Sequence, residues 1–155
     1  MARTWRIIRC TPEELSAVLA DGWLYPVWVV GASRMRDVDS GWPTPGRRLH
    51  HSFGVWPVLI DDTTEALEWR PQARMRLRAR GWPMGEAEVT IDVRAHAQGC
   101  LVRITERAVR GPGAWIPGFL LDPPLHIRNR ETLRRLAFLA EGHAARARAG
   151  AAETP

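Results

Sequence analysis

The apolar positions of this chain recur first at the strand period, then at the helix period, then over a long stretch at the strand period, and finally at the helix period again. Thr4–Cys10 alternates as a strand, with Trp5, Ile7 and Arg9 on one face and Ile8 and Cys10 on the other. Thr11-Pro12-Glu13-Glu14 then opens a helix: Thr11 caps it, Pro12 suits its first position, and Glu14 completes a capping box. Leu15, Val18 and Leu19 form its apolar stripe, and Asp21-Gly22 stops it. A second short helix or turn covers Trp23–Val30. From Ser33 to Arg110 every signal is β: strands over Ser33–Asp39, Arg47–Val55, Val58–Trp69, Arg74–Arg80, Glu86–Ala95 and Cys100–Val109. The breakers between them are Ser40–Gly46, Trp56-Pro57, Arg70-Pro71-Gln72, Gly81–Gly85 and Gln98-Gly99. Short turns without intervening helices imply an antiparallel meander. Arg110–Pro124, rich in glycine and proline and carrying Trp115 and Phe119, predicts a loop. Leu125–Gly142 is the longest helical pattern, with Leu125, Asn129, Thr132, Leu133, Leu136 and Ala140 on one face and Arg128, Arg130, Arg134 and Arg135 mostly off it. The alanine- and arginine-rich remainder, 143–155, is expected to be a flexible tail. The chain therefore predicts one α+β domain over 1–142.

Strand parity then sorts side chains to faces. In Arg74–Arg80 every second residue is arginine, so Met75, Leu77 and Ala79 face inward; the next strand turns Ala87, Val89, Ile91 and Val93 inward and Glu86, Glu88, Thr90 and Asp92 outward. Across that hairpin the arginine row meets an acidic row, and this accounts for the arginine stripe better than a phosphate-binding face. The same rule exposes anomalies. Glu106 shares a face with Val102, Ile104 and Ala108; His51 shares one with Leu49, Phe53 and Val55; Asp61, Thr63 and Glu65 share one with Leu67. An inward carboxylate costs several kcal/mol unless paired or protonated, so Glu106 needs a partner such as His51, a backbone hydrogen bond, or a raised pKa. A one-residue bulge would reverse any of these assignments.

With 155 residues the chain can bury a sizeable core without a metal or disulfide staple. The formal charge of +5 invites a nucleic-acid reading, but all 22 basic residues are arginine and are spread along the chain, which reads as high-GC coding bias, so no nucleic-acid partner is expected. Cys10 and Cys100 read as small buried hydrophobes rather than as a disulfide or a reactive thiol, since neither has a CxxC partner. The N-terminus lacks a signal-peptide core and no apolar run is long enough to span a bilayer, which makes a cytoplasmic location the default expectation. No phosphate loop, metal-ligand spacing or nucleophile elbow is present, so neither cofactor nor metal is expected. Adjacent His50 and His51 point to opposite faces of a strand and cannot chelate together. Of the eight tryptophans, Trp42 and Trp82 precede prolines in turns, whereas Trp23, Trp28 and Trp115 flank segments able to rim a cavity.

The order of one strand, two short helices, six antiparallel strands and a long C-terminal helix resembles the helix-grip fold of the START-like (SRPBCC) superfamily, in its polyketide cyclase/dehydrase and lipid-transport branch. The resemblance is carried by Ala17–Trp28, by Gly41-Trp42-Pro43-Thr44-Pro45-Gly46, by Trp69-Arg70-Pro71 before the Arg-Met-Arg-Leu strand, and by Asn129–Leu136. It implies a cavity between sheet and long helix that accepts an apolar or aromatic small molecule. Some members cyclise or dehydrate polyketide chains; others only bind or carry. Aromatase/cyclase members use a pocket with an arginine and hydroxyl or tyrosine groups, whereas here Tyr25 is the sole tyrosine and the arginines read as outward. The expected lining is Trp28, Glu65, Met75, Leu77, Val89, Ile91, Val102, Ile104, Trp115 and Leu136, with Glu106 and His51 as an acid–base pair for enolisation, aldol-type cyclisation or dehydration. A non-catalytic carrier or sensor is the alternative, and an interaction module using the basic outer sheet is the third reading.

Overall fold

The computed structural model describes residues 1–55, 57–81 and 85–152. Among them, the Thr11 side chain accepts from the Glu14 backbone N–H at 3.1 Å while the Glu14 carboxylate accepts from the Thr11 N–H at 2.8 Å. This capping box starts α1, Pro12–Ala20, as its sequence predicts. Asp21 then caps a single 3-10 turn, Gly22–Leu24, by accepting from the Trp23 N–H, and α2, Tyr25–Trp28, follows directly.

The strands are β1 Ala2–Ile8, β2 Ala32–Val38, β3 Arg48–Val55, β4 Val58–Arg70, β5 Arg74–Gly81, β6 Gly85–His96 and β7 Gly99–Arg110. They form one antiparallel sheet in the order β1-β7-β6-β5-β4-β3-β2. This is the expected meander, running from β2 to β7 with β1 added beside β7. Gly85 at φ +107° lets the start of β6 approach the end of β7 closely: a Cβ there would lie 1.9 Å from the Arg110 carbonyl oxygen. The Trp56-Pro57 bend and the turn over Gly81–Gly85 fall partly outside the described residues, as does the side chain of Phe119.

The sheet grips α3, Gly118–Ala152, whose buried stripe Asn129, Leu133, Leu136, Ala137, Ala140 and Ala144 follows the helical period. The helix is longer at both ends than the sequence pattern predicts. At the start, the expected loop resolves into a 3-10 turn at Pro112–Ala114 followed by helix that runs through Pro123 and Pro124. Proline's fixed φ is compatible with a helix even where its missing N–H costs a bond. At the end, the segment expected as a flexible tail is helical to Ala152. Ala144 is buried and Arg148 reaches Glu14 on α1 at 3.4 Å, so an alanine- and arginine-rich helix with high intrinsic propensity also gains tertiary anchors.

On the outer face the arginine and acidic rows meet as parity predicts. Arg74 and Arg103 both bind Asp92, at 2.7 and 2.9 Å, and Arg76, Arg78 and Arg107 all lie within 4.0 Å of Glu88. Burial opposes ionisation of Asp92, but the hydrogen bonds from Arg103 and Arg74 outweigh it and hold the carboxyl below its ordinary range. No helix among the described residues is long and apolar enough to cross a membrane.

Candidate functional site

Between the inner face of the sheet and the helices α2 and α3 lies a cavity of about 260 Å³. Leu77, Val89, Ile91 and Ile104 form its apolar wall, and Trp28 lies on the α2 side with its ring edge-on to Tyr25 at 5.4 Å. Met75, Val102 and Leu136, expected to share this lining, are fully buried in the core beyond it. Two other expectations are corrected. Trp115 is 88% exposed and does not line this cavity, because the segment after β7 makes a tight 3-10 turn in which Gly113, not Trp115, meets it. Glu65 lies on the outer face beside Arg48, at 3.7 Å. The cause is a register shift between Ala66 and Glu68, which leaves Leu67 as the extra residue of a bulge. Parity counted back from Leu67 therefore fails; Asp62, Thr64 and Ala66 are the inward residues.

Besides the Arg80–Glu86 ion pair at its edge, two clusters of polar side chains interrupt the apolar lining. In the first, Thr64 Oγ1 joins two partners: the Tyr25 hydroxyl at 3.2 Å and His51 Nε2 at 2.9 Å. All three residues line the cavity, and the Tyr25 and His51 rings stack at a tilt with centroids 5.3 Å apart. Burial pushes His51 below its ordinary pKa, with the facing Asp62 charge and the Ser52 backbone only partly offsetting it. Burial also pushes the Tyr25 phenol up, against the Thr64 hydrogen bond and the Arg128 charge, with Glu106 and Asp62 adding to the rise. At neutral pH this places a neutral imidazole and an intact phenol on one shared hydroxyl. A proton acceptor and a proton donor are thus held in a single hydrogen-bonded chain.

In the second group, Glu106 points inward from β7 as predicted and is 4% exposed, but its partner is not His51. The Glu106 Oε2 accepts from Arg128 Nη2 and, at 3.2 Å, from Asn129 Nδ2, both on α3. Arg128 lines the cavity and its buried Nε–H finds no partner among the described residues. Thr132, one turn further along α3, also lines the cavity and accepts from the Val30 N–H at 3.3 Å. Among the described residues no three His, Cys, Asp or Glu side chains converge to hold a metal ion.

Tyr25, Thr64, Arg128 and Asn129 are thus site residues that sequence reasoning did not select. Asn129 carried a usable signal, a polar amide in the middle of an apolar helical stripe. Arg128 carried none, because it sits at the margin of that stripe. The reading of all arginines as outward fails at Arg128, and Arg80 also borders the cavity, which thus holds arginine together with the sole tyrosine.

Residues 2–141 match the family model described as polyketide cyclase / dehydrase and lipid transport. No curated protein matches the chain at a significant level. Solved structures share the fold at low identity. Protein CV1439 from Chromobacterium violaceum has a TM-score of 0.68 at 19% identity, with 90% of this chain and 96% of that one covered. Protein NE0264 from Nitrosomonas europaea has 0.71 at 15%, with 92% and 95% covered. The di-domain ARO/CYC StfQ from the steffimycin biosynthetic pathway has 0.67 at 11%, with 92% of this chain and 51% of that one covered.

Proposed function

Since the chain belongs to the polyketide cyclase, dehydrase and lipid-transport family, we propose that it binds a compact, largely apolar or aromatic small molecule in the cavity beneath α3. The observation that carries this reading is the cavity itself: about 260 Å³, walled by aliphatic side chains, with a few polar groups converging on it. Ligand sites have that composition, and this one lies near the small end of their usual volume of about 300–1,000 Å³. A flat ligand would lie against Leu77, Val89 and Ile104, with its oxygen-bearing groups on Tyr25 and Arg128. Native mass spectrometry of the purified protein tests for a retained molecule, and displacement of an apolar fluorescent dye supplies an affinity. Filling the cavity with Val89→Trp should weaken dye binding at least tenfold while far-ultraviolet circular dichroism stays unchanged. Undiminished binding by the folded variant would place the ligand elsewhere.

A second reading adds catalysis and is favoured by the Tyr25–Thr64–His51 chain. In this chain His51 Nε2–H donates to Thr64 and Thr64 donates to Tyr25. The His51 Nδ1, unpartnered among the described residues, accepts a proton from carbon next to a carbonyl, and the Tyr25 hydroxyl donates a hydrogen bond to the developing enolate oxygen. Thr64 holds the two in register. Such a step serves enolisation, aldol-type ring closure or dehydration, with Glu106 fixing Arg128 against the substrate rather than carrying the proton itself. Tyr25→Phe and His51→Gln should each abolish turnover of a poly-β-carbonyl test substrate by two or more orders of magnitude while dye affinity is retained. Binding without turnover of any such substrate by the wild-type chain assigns it the role of carrier or sensor.

A further inference from the structure

We propose that Cys10 and Cys100 form a reversible thiol–disulfide site that staples the start of α1 to β7. Cys10 follows β1 by two residues and Cys100 is the second residue of β7; both are free, both are buried, and their Sγ atoms lie 3.9 Å apart. They are the only two cysteines of the chain, so an intramolecular bond has one possible pairing.

The backbone enforces the approach. At Gly99, φ +133°, a Cβ would fall 2.2 Å from the Ile8 carbonyl oxygen and 2.9 Å from the Cys10 nitrogen, so only glycine lets the two chains touch beside the thiols. A disulfide needs the sulfurs about 2.05 Å apart, so closing the bond requires the two side chains to rotate toward each other. The Cys10 thiol, bonded to Cys100, buried, and facing Glu14 and Glu141, is pushed far up, whereas its hydrogen bond to Cys100 lowers that partner. Either sulfur can attack once it is deprotonated, and the other then resolves the adduct.

With an azodicarboxamide such as diamide as oxidant, one of the two sulfurs adds to one azo nitrogen and the second azo nitrogen takes up a proton. The other sulfur then attacks the first, forming the S–S bond and expelling the hydrazine. Two electrons and both thiol protons end on the former N=N bond. The staple would close a loop between residues 90 apart in sequence, restricting the unfolded chain somewhat more than a short loop would.

The test is diamide treatment of the reduced, folded protein, followed by denaturation and maleimide labelling. The expected product is a monomer 2 Da lighter with no maleimide adduct and a Cys10–Cys100 cross-linked peptide. A phosphine reductant should return both thiols, and the oxidised form should melt higher by on the order of 5 °C. Cys10→Ala and Cys100→Ala should each yield no 2 Da loss, and the wild-type measurement decides alone if either variant fails to fold. Two maleimide adducts after oxidation, disulfide-linked dimers only, or a bond that forms only in denaturant would each overturn the proposal.

Discussion

Glu106 and Arg107 are consecutive on β7 and point to opposite faces of one sheet, and each belongs to an arginine–carboxylate pair. Inside, Glu106 meets Arg128, with Asn129 as its second donor and a side chain 5% exposed. Outside, Arg107 meets Glu88 at 3.6 Å, but Glu88 also has Arg76 and Arg78 within 4.0 Å, and every arginine of the group is more than a third exposed. The chemistry is the same and the consequences are not. The outer carboxylate has water and three cations to choose from, so no single contact matters. The inner one has left water for a fixed pair of donors, and its removal strands a charge.

The largest effect expected from this contrast is at Glu106. Glu106→Ala should destabilise the fold by about 3 kcal/mol in urea unfolding, the lower end for a broken buried pair, because Arg128 retains 30% exposure through which water can reach it. The double replacement Glu106→Leu with Arg128→Met should recover most of that loss, since neither charge is then stranded. It should at the same time remove whatever affinity the cavity has for oxygen-bearing ligands. A double variant as unstable as Glu106→Ala would mean that the pair holds α3 in place by geometry rather than by charge.

A smaller effect concerns pH and again separates inside from outside. His51 has its folded-state pKa below the ordinary value of 6.5 because it is buried. Below that value the unfolded chain takes up a proton that the folded chain refuses, so its contribution is intact above about pH 6.5 and is lost progressively as pH falls from there. Asp92 on the outer face is depressed from 3.8 by its two arginines, so its contribution is lost only at more acidic pH, as pH falls through the carboxylate range. Melting curves from pH 7.5 to 5 should therefore drop more steeply for the wild type than for His51→Gln, while Asp92→Asn should change the slope only below about pH 4. Parallel curves for wild type and His51→Gln would show that His51 is solvated in the folded state.

The same division of faces governs how much the sequence discloses. Where strands alternate without interruption, as in β5 and β6, each outward arginine or glutamate marks its inward neighbour, and Leu77, Val89 and Ile91 fall where parity puts them. In β4 a single bulge at Leu67 shifts the count, so Glu65 is taken for an inward residue and Thr64, which joins Tyr25 to His51, goes unnoticed. Hydrophobicity carries no record of a bulge, because the residues on either side of it are equally compatible with both registers. The cap of α1 is legible because it is local chemistry within four residues. The pairing of Glu106 with Arg128 is not, since it depends on how α3 is rotated against β7, and an arginine at the margin of an apolar stripe reads as solvent-facing until the partner surface is known. Ala144 and the Arg148–Glu14 contact likewise lie beyond local pattern, and with them the helical character of the segment after Gly142.

The smallest expected effect is on the outer face, and it tests the comparison most sharply because the substituted group is the same. Glu88→Gln removes one carboxylate surrounded by Arg76, Arg78 and Arg107. Each of those arginines is partly exposed, and Arg76 keeps a second acidic neighbour in Glu68 at 3.6 Å. No charge is left unsolvated, so the cost should be below about 1 kcal/mol and should shrink further in 0.5 M salt, where exposed pairs are screened. The loss from Glu106→Gln, by contrast, should be nearly unchanged by salt. If Glu88→Gln proves as costly as Glu106→Gln, the arginine row is a cooperative network that holds the curvature of the sheet. The three arginines gathered on Glu88 would then be structural necessity rather than tolerance.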